Sequence, residues 1–427
     1  METICVVGLG YAGITLATAL ASKGFNVFGY DRDAAKVDSL NRCQPSFHEA
    51  GVEDVLRNCL GRNLHLQADY VPQDYDVIIF AVATPVDTVT HQPVMTHLLA
   101  AAAKVAGDLR GDPLIVVRST VPVGTTEKYV LPVFRAVKPG IRVAFAPERT
   151  IQGQALREIV ELPQVVGGVD APSLERAVKF FSQVARKVVP VSSAATAELV
   201  KLLNNTHTDV IYSFGNEAAK IAEAVGVDPH EALRAASLDY PRPKLHSPGY
   251  VGGGCLSKDP YLLAASAPGV QLELILAARR LNENLPGYTA TRVLDGLAAL
   301  GIPAAGARVG VFGIAFKGRP PTDDLRGSQA LEIIPTLRSA GLRMLGHDPV
   351  VPPERIAALD VEPVNDLREL AGLQAALFLT DAECYSRLKT SDVLDMLVRP
   401  AVVFDAWRLF TRSKIAAAGV RYQSIGI

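Results

Sequence analysis

The 427-residue chain has almost no net charge, few cysteines and no long apolar run. A net charge of -1 gives no electrostatic reason to expect nucleic acid or an anionic membrane as a partner. Five irregularly spaced cysteines argue against a disulfide framework and indicate a reducing compartment. No apolar run could span a bilayer, and the first predicted strand begins almost at Met1, so we expect neither a membrane segment nor a signal peptide. We therefore predict a cytoplasmic protein, long enough for two or three domains.

Strand and helix signals alternate in both terminal parts of the chain. Continuous apolar runs, such as residues 77–82, are typical of strands that helices cover on both faces. Between residues 194 and 300 long helix-prone stretches replace the strand signals, and the alternation then returns. The pattern predicts an α/β fold with two Rossmann-like doubly wound domains joined by a helical central domain. The expected bounds are residues 1–193, 194–300 and 301–427.

The chain opens with a dinucleotide-binding fingerprint. Gly8, Gly10 and Gly13 follow a strand and open a helix, where such glycines allow a tight turn, approach of a pyrophosphate and close helix–strand packing. The phosphates would lie at the helix N-terminus. Asp31 ends the next strand, where a carboxylate can accept hydrogen bonds from the adenine ribose and would repel a 2′-phosphate. NAD is therefore favoured over NADP, although the neighbouring Arg32 weakens that preference. The alternative is a purely structural glycine turn.

Three adjacent glycines precede the segment Cys255-Leu256-Ser257-Lys258-Asp259. The thiol can act as a covalent nucleophile, while the amine and the carboxylate can favour its thiolate and move protons. A free cysteine is more often an inert core residue. However, a glycine-rich turn beside two charged residues is a poor place to bury one, because unpaired charges are costly in an apolar core. We predict that Cys255 is reactive. The inert interpretation is kept for Cys5, Cys43, Cys59 and Cys384.

The motifs of this chain, in this order, resemble those of the UDP-glucose/GDP-mannose dehydrogenases, which are NAD-dependent enzymes that oxidise nucleotide sugars at C6. The resemblance covers nearly the whole chain. Beyond the fingerprint and the Gly-Gly-x-Cys-x-x-Lys-Asp element, it rests on residues 83–85, 119–125, 147–149, 198–205, 316–317 and 323–326.

The resemblance implies a four-electron oxidation that uses NAD and needs no metal. The primary alcohol becomes an aldehyde, which Cys255 captures as a thiohemiacetal; oxidation to a thioester and hydrolysis then give the carboxylate. Lys201 and Asn205 lie one helical turn apart and are implied to stabilise oxyanion charge. Asp259 is the implied base for the hydrolytic water. For Lys201 the alternative is an ordinary solvated helix lysine.

The resemblance also implies the remaining ligand contacts. Glu148 and Thr120 are expected to position the hydrolytic water. The expected cofactor contacts are Gly8, Gly10, Tyr11, Gly13, Asp31, Arg32, Thr84, Thr120 and Arg326. The expected contacts to the UDP-sugar substrate are Glu148, Arg149, Lys201, Asn205, Arg242, Tyr250, Gly252, Lys317 and Arg408. Arg242 is implied to act in a neighbouring subunit's site, so we expect a homodimer or a higher homo-oligomer. For Arg242, Arg326 and Arg408 a surface salt bridge is the alternative.

Residues 147–168 resemble the branch that oxidises UDP-N-acetylhexosamines, so UDP-N-acetylmannosamine and UDP-N-acetylglucosamine are the predicted substrates. Gln152, Gly254 and Lys258 depart from the N-acetylmannosamine pattern and keep UDP-glucose open as an alternative. A two-electron β-hydroxyacid dehydrogenase is a further alternative, which would need no Cys255. The last is a non-catalytic NAD-sensing protein on the same scaffold.

Overall fold

The computed structural model describes residues 2–241 and 245–427, which divide into two compact units. The first unit contains the described residues up to Asn205 together with Lys258–Gln271, and the second contains Thr206–Ser257 and Leu272–Ile427. The strands are β1 (Thr3–Val7), β2 (Asn26–Tyr30), β3 (Leu64–Gln67), β4 (Val77–Phe80), β5 (Leu114–Val117), β6 (Arg142–Phe145), β7 (Gln164–Gly168), β8 (Val188–Val191), β9 (Arg308–Phe312), β10 (Arg343–His347), β11 (Glu362–Pro363), β12 (Leu373–Phe378), β13 (Leu397–Asp405) and β14 (Val420–Gln423).

The α-helices span all parts of the described chain. They are α1 (Tyr11–Ser22), α2 (Ala34–Asn41), α3 (Val52–Cys59), α4 (Thr96–Gly107), α5 (Leu131–Val137), α6 (Ala155–Glu161), α7 (Ala171–Phe181), α8 (Ala194–Ala224), α9 (Pro229–Ser237), α10 (Gly253–Leu256), α11 (Asp259–Ser266), α12 (Glu273–Glu283), α13 (Leu285–Ala299), α14 (Ala330–Ser339), α15 (Pro353–Ala357), α16 (Glu383–Ser386), α17 (Thr390–Asp395) and α18 (Arg412–Ala417). Among the helices of the described residues, none combines the length and apolar character needed to cross a bilayer.

The first unit is built on an eight-stranded sheet in the order β3-β2-β1-β4-β5-β6-β7-β8. Neighbouring strands are parallel except β6 and β7. Every residue of β4 and β5 is buried, as the continuous apolar runs predict for strands covered on both faces. The strand order reverses between β1 and β4. In a doubly wound sheet, the crevice at the carboxyl ends of such strands is the usual ligand position.

The second unit repeats this architecture on a six-stranded sheet, in the order β11-β10-β9-β12-β13-β14. Its strand pairs are parallel, and the order reverses between β9 and β12. Gly313 follows β9 with a positive φ of 93°, and a Cβ there would lie 2.1 Å from the hydroxyl oxygen of Thr380. The two Rossmann-like sheets, with a helical region between them in the chain, confirm the predicted fold class.

The middle of the chain is helical, as predicted, but its helices are interrupted at positions that were not predicted. The stretch 194–225 forms the single helix α8, as expected. The stretch 272–300 is divided at Asn284 into α12 and α13. Pro286 causes no loss in the first turn of α13, because a backbone N–H there would have no helical acceptor. The segment around Cys255 is not an open loop but the short helix α10.

Candidate active site

The three fingerprint glycines meet different surroundings. Gly8 has a φ of 94°, and a Cβ there would lie 2.9 Å from the carbonyl oxygen of Ala81. A Cβ on Gly13 would lie 1.8 Å from the carbonyl oxygen of Gly8, so this position requires glycine for packing. At Gly10, which precedes α1, a Cβ would meet nothing within 4 Å. The backbone at Gly10 therefore faces open space at a helix N-terminus, which fits a bound pyrophosphate.

Asp31 follows β2 and lies beside the fingerprint turn. Its carboxylate accepts hydrogen bonds of 2.8 Å from the backbone N–H of Leu9 and from Nζ of Lys36. Burial opposes ionisation of Asp31, but Lys36 and backbone N–H groups outweigh it and hold the pKa of this carboxyl below its usual value. Arg32 is exposed, and its Nη2 lies 3.3 Å from Nδ1 of His97. Lys36 was not predicted from the sequence, because a lysine in the first turn of a helix has no distinctive sequence signal.

Tyr11, in the same fingerprint, is tied to another loop through Glu49. The buried Glu49 carboxylate accepts hydrogen bonds from the Tyr11 hydroxyl, from the N–H of Gly153 at 2.5 Å and from the N–H of Ala155 at 2.8 Å. Glu49 was not predicted from the sequence. Glu49 links the fingerprint turn to the segment that follows Glu148.

Glu148 is held by an arginine that the sequence did not single out. Nη2 and Nε of Arg118 lie 2.5 and 3.1 Å from one carboxylate oxygen, and the N–H groups of Arg149 and Thr150 donate to the other. Burial disfavours the charged carboxylate, but Arg118, Thr150 and then Lys201 outweigh it and lower the pKa of Glu148. Glu148 is therefore an ionised acceptor. The Arg149 guanidinium itself donates to the carbonyl of Pro163.

The segment that carries Thr120 is fixed by two neighbours. The Thr84 hydroxyl donates a 2.5 Å hydrogen bond to the carbonyl of Thr120. Glu198, fully buried at the start of α8, accepts from the N–H groups of Gly124 and Thr126 at 2.5 and 2.8 Å. Glu198, the first residue of the recognised helical motif, thus holds this loop against α8.

Lys201 and Asn205 lie one turn apart on α8, where Lys201 is buried and Asn205 is partly buried. Lys201 is only 6% exposed, which contradicts the solvated-lysine alternative. Nδ2 of Asn205 donates to a carboxylate oxygen of Asp259 at 2.5 Å, and Nζ of Lys258 lies 2.8 Å from the other oxygen. Asp259 is fully buried at the start of α11. The first unit therefore brings together a cation, an amide and a paired carboxylate.

Cys255 lies in the second unit, and its side chain is exposed. Gly253 has a φ of 85°, and a Cβ there would lie 2.8 Å from the ring of Phe316, so glycine lets the chain turn against this ring. A Cβ on Gly254 would lie 3.3 Å from the guanidinium carbon of Arg326. Arg326 also pairs with Asp324 at 2.7 Å. Cys255 is therefore not a buried core thiol.

The predicted substrate residues of the second unit have different partners. Nζ of Lys317 lies 5.4 Å from the centre of the Phe316 ring. Arg408 has a φ of 57° and pairs with Asp228. The Tyr250 hydroxyl is 2.7 Å from that of Thr289 in the core. A Cβ on Gly252 would lie 2.5 Å from the carbonyl oxygen of Gly327. Arg242 lies outside the described residues.

The predicted set thus falls into two groups that the chain joins between Ser257 and Lys258. Glu148, Lys201, Asn205 and Asp259 belong to the first unit with the fingerprint. The second unit holds Cys255 and four of the expected UDP-sugar contacts, Tyr250, Gly252, Lys317 and Arg408. Four Cα–Cα steps separate Cys255 from Asp259 in the chain, so their Cα atoms lie within about 15 Å of each other, whatever the backbone conformation.

Domain profiles, related sequences and solved structures match the chain. Three domain profiles of the UDP-glucose/GDP-mannose dehydrogenase family match the chain: the NAD binding domain at residues 2–185, the central domain at 195–284 and the UDP binding domain at 310–412. UDP-N-acetyl-D-mannosamine dehydrogenase from Pyrococcus horikoshii is 34% identical over 82% of this chain and 84% of that protein. NDP-N-acetyl-D-galactosaminuronic acid dehydrogenase from Ralstonia nicotianae is 32% identical over 97% and 98%. The solved structure of UDP-D-ManNAc dehydrogenase from Pyrococcus horikoshii is 30% identical, superposes with a TM-score of 0.88 and covers 99% of each chain.

Proposed function

Because the chain belongs to the UDP-glucose/GDP-mannose dehydrogenase family, we propose that it oxidises the C6 hydroxyl of a UDP-N-acetylhexosamine to the carboxylate. The family makes it an NAD-dependent nucleotide-sugar dehydrogenase with a UDP-binding domain. UDP-N-acetylmannosamine and UDP-N-acetylglucosamine are the proposed substrates, and the names of similar proteins support the first of them. UDP-glucose is the alternative that Lys258 supports.

The open backbone at Gly10 and the carboxylate of Asp31 would hold the pyrophosphate and the adenine ribose of NAD. NAD supplies the hydride acceptor for both oxidations. Tyr11, Arg32, Thr84, Thr120 and Arg326 remain proposed contacts to it.

The residues around the reacting carbon divide the chemistry among them. The Cys255 sulfur would form a bond to the aldehyde carbon, and loss of hydride would leave a thioester. Lys201 and Asn205 would stabilise the charge on the reacting oxygen. Asp259 would take a proton from water, which displaces the thiolate and forms the carboxylate. The observation that carries this proposal is the buried Asp259 carboxylate, which accepts a hydrogen bond from Asn205 and lies four residues after the exposed Cys255. Lys201 is buried one turn before Asn205 on α8.

Two further residues would support hydrolysis and substrate binding. Glu148, ionised beside Arg118, and Thr120 are proposed to position the hydrolytic water. The other proposed contacts to the UDP-sugar are Arg149, Arg242, Tyr250, Gly252, Lys317 and Arg408. We retain the proposed division into an NAD-binding domain (1–193), a helical domain (194–300) and a UDP-sugar domain (301–427).

The proposed assembly is a homodimer formed through α8. An apolar stripe contains Leu199, Leu203, Phe214 and Ile221 of α8 and continues to Val225, directly after the helix, at 3.6 residues per turn. Each of these residues is between 36% and 67% exposed. Apolar stripes of this kind mark protein–protein contacts. A second copy would cover the stripe, with Arg242 acting across the interface. We propose a cytoplasmic location because all five cysteines are free.

A substrate panel tests the proposal directly. The purified enzyme is supplied with NAD and with UDP-N-acetylmannosamine, UDP-N-acetylglucosamine, UDP-glucose or GDP-mannose, and NADH is counted per molecule of substrate consumed. Two NADH with a UDP-N-acetylhexosamine support the proposal. One NADH per substrate would indicate a two-electron dehydrogenase, and no NADH with any substrate would favour an NAD-sensing protein.

A further inference from the structure

Residues 249–256 form the Cys255 segment. Within the second unit, one buried polar network holds this segment at both ends. The network contains Asp209 and Asn216 from α8 and Arg279 and Asn282 from α12. Each is at most 4% exposed. The two α8 residues are seven positions apart and the two α12 residues three apart, so each pair lies on one face of its helix.

At the beginning of the segment, Asn216 pairs with the backbone of Gly249. Nδ2 of Asn216 donates to the Gly249 carbonyl at 2.9 Å, and the Gly249 N–H donates back to Oδ1 at 2.8 Å. A Cβ on Gly249 would lie 3.0 Å from the Trp407 ring, so the backbone is held between an amide and an indole. Both polar groups of Gly249 are thereby used.

At the other end, Arg279 holds the residue that follows Cys255. Nη1 of Arg279 donates to the Leu256 carbonyl at 3.2 Å, where α10 ends and carbonyl groups lack helical donors. The same nitrogen lies 2.6 Å from Oδ1 of Asp209. This carboxylate, together with Glu283, whose Oε1 lies 3.3 Å from Nε of Arg279, compensates the charge of a buried guanidinium.

Asn282 joins the two ends into one unbroken path. Its Nδ2 donates to both the carbonyl and Oδ1 of Asp209, each at 2.9 Å. Its Oδ1 accepts from Nδ2 of Asn216 at 3.0 Å. Hydrogen bonds therefore run from Gly249 through Asn216, Asn282, Asp209 and Arg279 to Leu256.

We propose that these four side chains are positioning residues that fix the Cys255 thiol for attack on the aldehyde; this inference rests on the proposed function. A segment with three consecutive glycines loses much conformational entropy when it is ordered, so it needs external restraint. A buried ion pair is seldom a gain in stability over apolar residues of the same size. The Arg279–Asp209 pair lies against the carbonyl of Leu256, the residue after Cys255, and we therefore assign the pair a role in positioning the thiol.

Two variants break the network at opposite ends. Asn216→Ala removes both hydrogen bonds to Gly249 and leaves no buried charge without a partner. Arg279→Lys keeps a positive charge opposite Asp209 but lacks the planar guanidinium with its several donors. Arg292→Lys is the matched control, because Arg292 forms a 2.7 Å ion pair with Glu223 of α8, so it makes the same substitution at an ion pair outside the network.

The measurements are amide hydrogen exchange across residues 249–256, kcat, NAD affinity and the rate of Cys255 alkylation by iodoacetamide. In both variants we expect exchange to speed up and kcat to fall, each about tenfold or more, since small misplacements are costly in catalysis. NAD affinity should stay within about twofold, and alkylation within about threefold, because a small diffusing reagent needs no fixed thiol orientation. The control should match the parent.

Parental exchange rates and parental kcat in a folded Asn216→Ala protein would overturn the inference, and this variant decides the question if Arg279→Lys does not fold. An equal loss of kcat, NAD affinity and alkylation would also overturn it, since that pattern indicates general damage to the fold. Failure of the proposed function is distinct: the Cys255→Ala protein would then form product at the parental rate, whatever the exchange rates show.

Discussion

Nη2 of Arg118 lies 2.5 Å from a carboxylate oxygen of Glu148, and the two side chains are only 2% and 14% exposed. This pair sets the charge of a residue proposed to position the hydrolytic water. Burial alone would favour the neutral acid, and the guanidinium is the largest influence that keeps it ionised.

Replacement of Arg118 by Met should move the acid limb of the kcat profile to higher pH. The pKa of Glu148 is lowered in the folded protein, so the ionised form contributes stability above the usual glutamate range and loses it as the pH falls through the folded pKa. Without Arg118 that pKa rises. The variant should also lose about 3–5 kcal/mol of stability at neutral pH. Arg135→Met, which breaks an exposed pair with Asp170, should cost less than about 1 kcal/mol. An unmoved acid limb would show that Glu148 does not act in turnover.

Asp31→Ala should weaken NAD binding by about 1.5–3 kcal/mol, as expected for a lost charged hydrogen bond. Isothermal titration calorimetry measures this directly. Asp38→Ala, on the exposed face of α2, is the control and should bind NAD as the parent does. Parental affinity in the Asp31 variant would mean that its carboxylate serves the N–H groups of Leu9 and Asp33 and the amine of Lys36, and not NAD.

Glu49→Gln should raise KM for both NAD and the UDP-sugar. The carboxylate accepts hydrogen bonds from the fingerprint residue Tyr11 and from Gly153 beyond Glu148, so a neutral amide that accepts fewer of them loosens both segments. Steady-state kinetics with each ligand varied in turn measures the effect. Tyr11→Phe removes one donor and should have a smaller effect. A change confined to one KM would contradict the proposed link.

Phe214→Glu and Ile221→Glu should convert the proposed dimer to a monomer, because each places a charge in the apolar stripe of α8. Sedimentation velocity gives the mass of each species. Val89→Glu, at a residue 84% exposed and far along the chain from α8, is the control and should not change the mass. A dimer that survives both α8 substitutions would place the interface elsewhere.

The fold could be predicted from the sequence because its signals are local. The fingerprint, the buried strands such as β4 and the long α8 all show in runs of neighbouring residues. Short strands at sheet positions beyond those runs, including β3 and β14, were not predicted, since four residues with mixed polarity carry little periodic signal.

The site was predicted only as far as its motifs reach. Cys255, Asp259 and Lys201 belong to recognisable sequence motifs. The residues that hold the site's loops in place, such as Arg118 and Glu49, belong to none of these motifs. Arg118 is 30 residues from Glu148, and Glu49 is 104 residues from Gly153. Such charged residues resemble surface residues in sequence, and only the folded chain shows that they are buried.

The most direct test of the central claim is to look for sugar bound covalently to Cys255. The Asp259→Asn protein, impaired in hydrolysis, is mixed with UDP-N-acetylmannosamine and NAD, quenched in acid and digested for mass spectrometry. We predict a hydroxylamine-sensitive adduct with the mass of the uronyl thioester on the Cys255 peptide, and none in the Asp259→Asn/Cys255→Ala protein. An unmodified Cys255 peptide, together with uronate formed at the parental rate by the Cys255→Ala protein, would contradict the account.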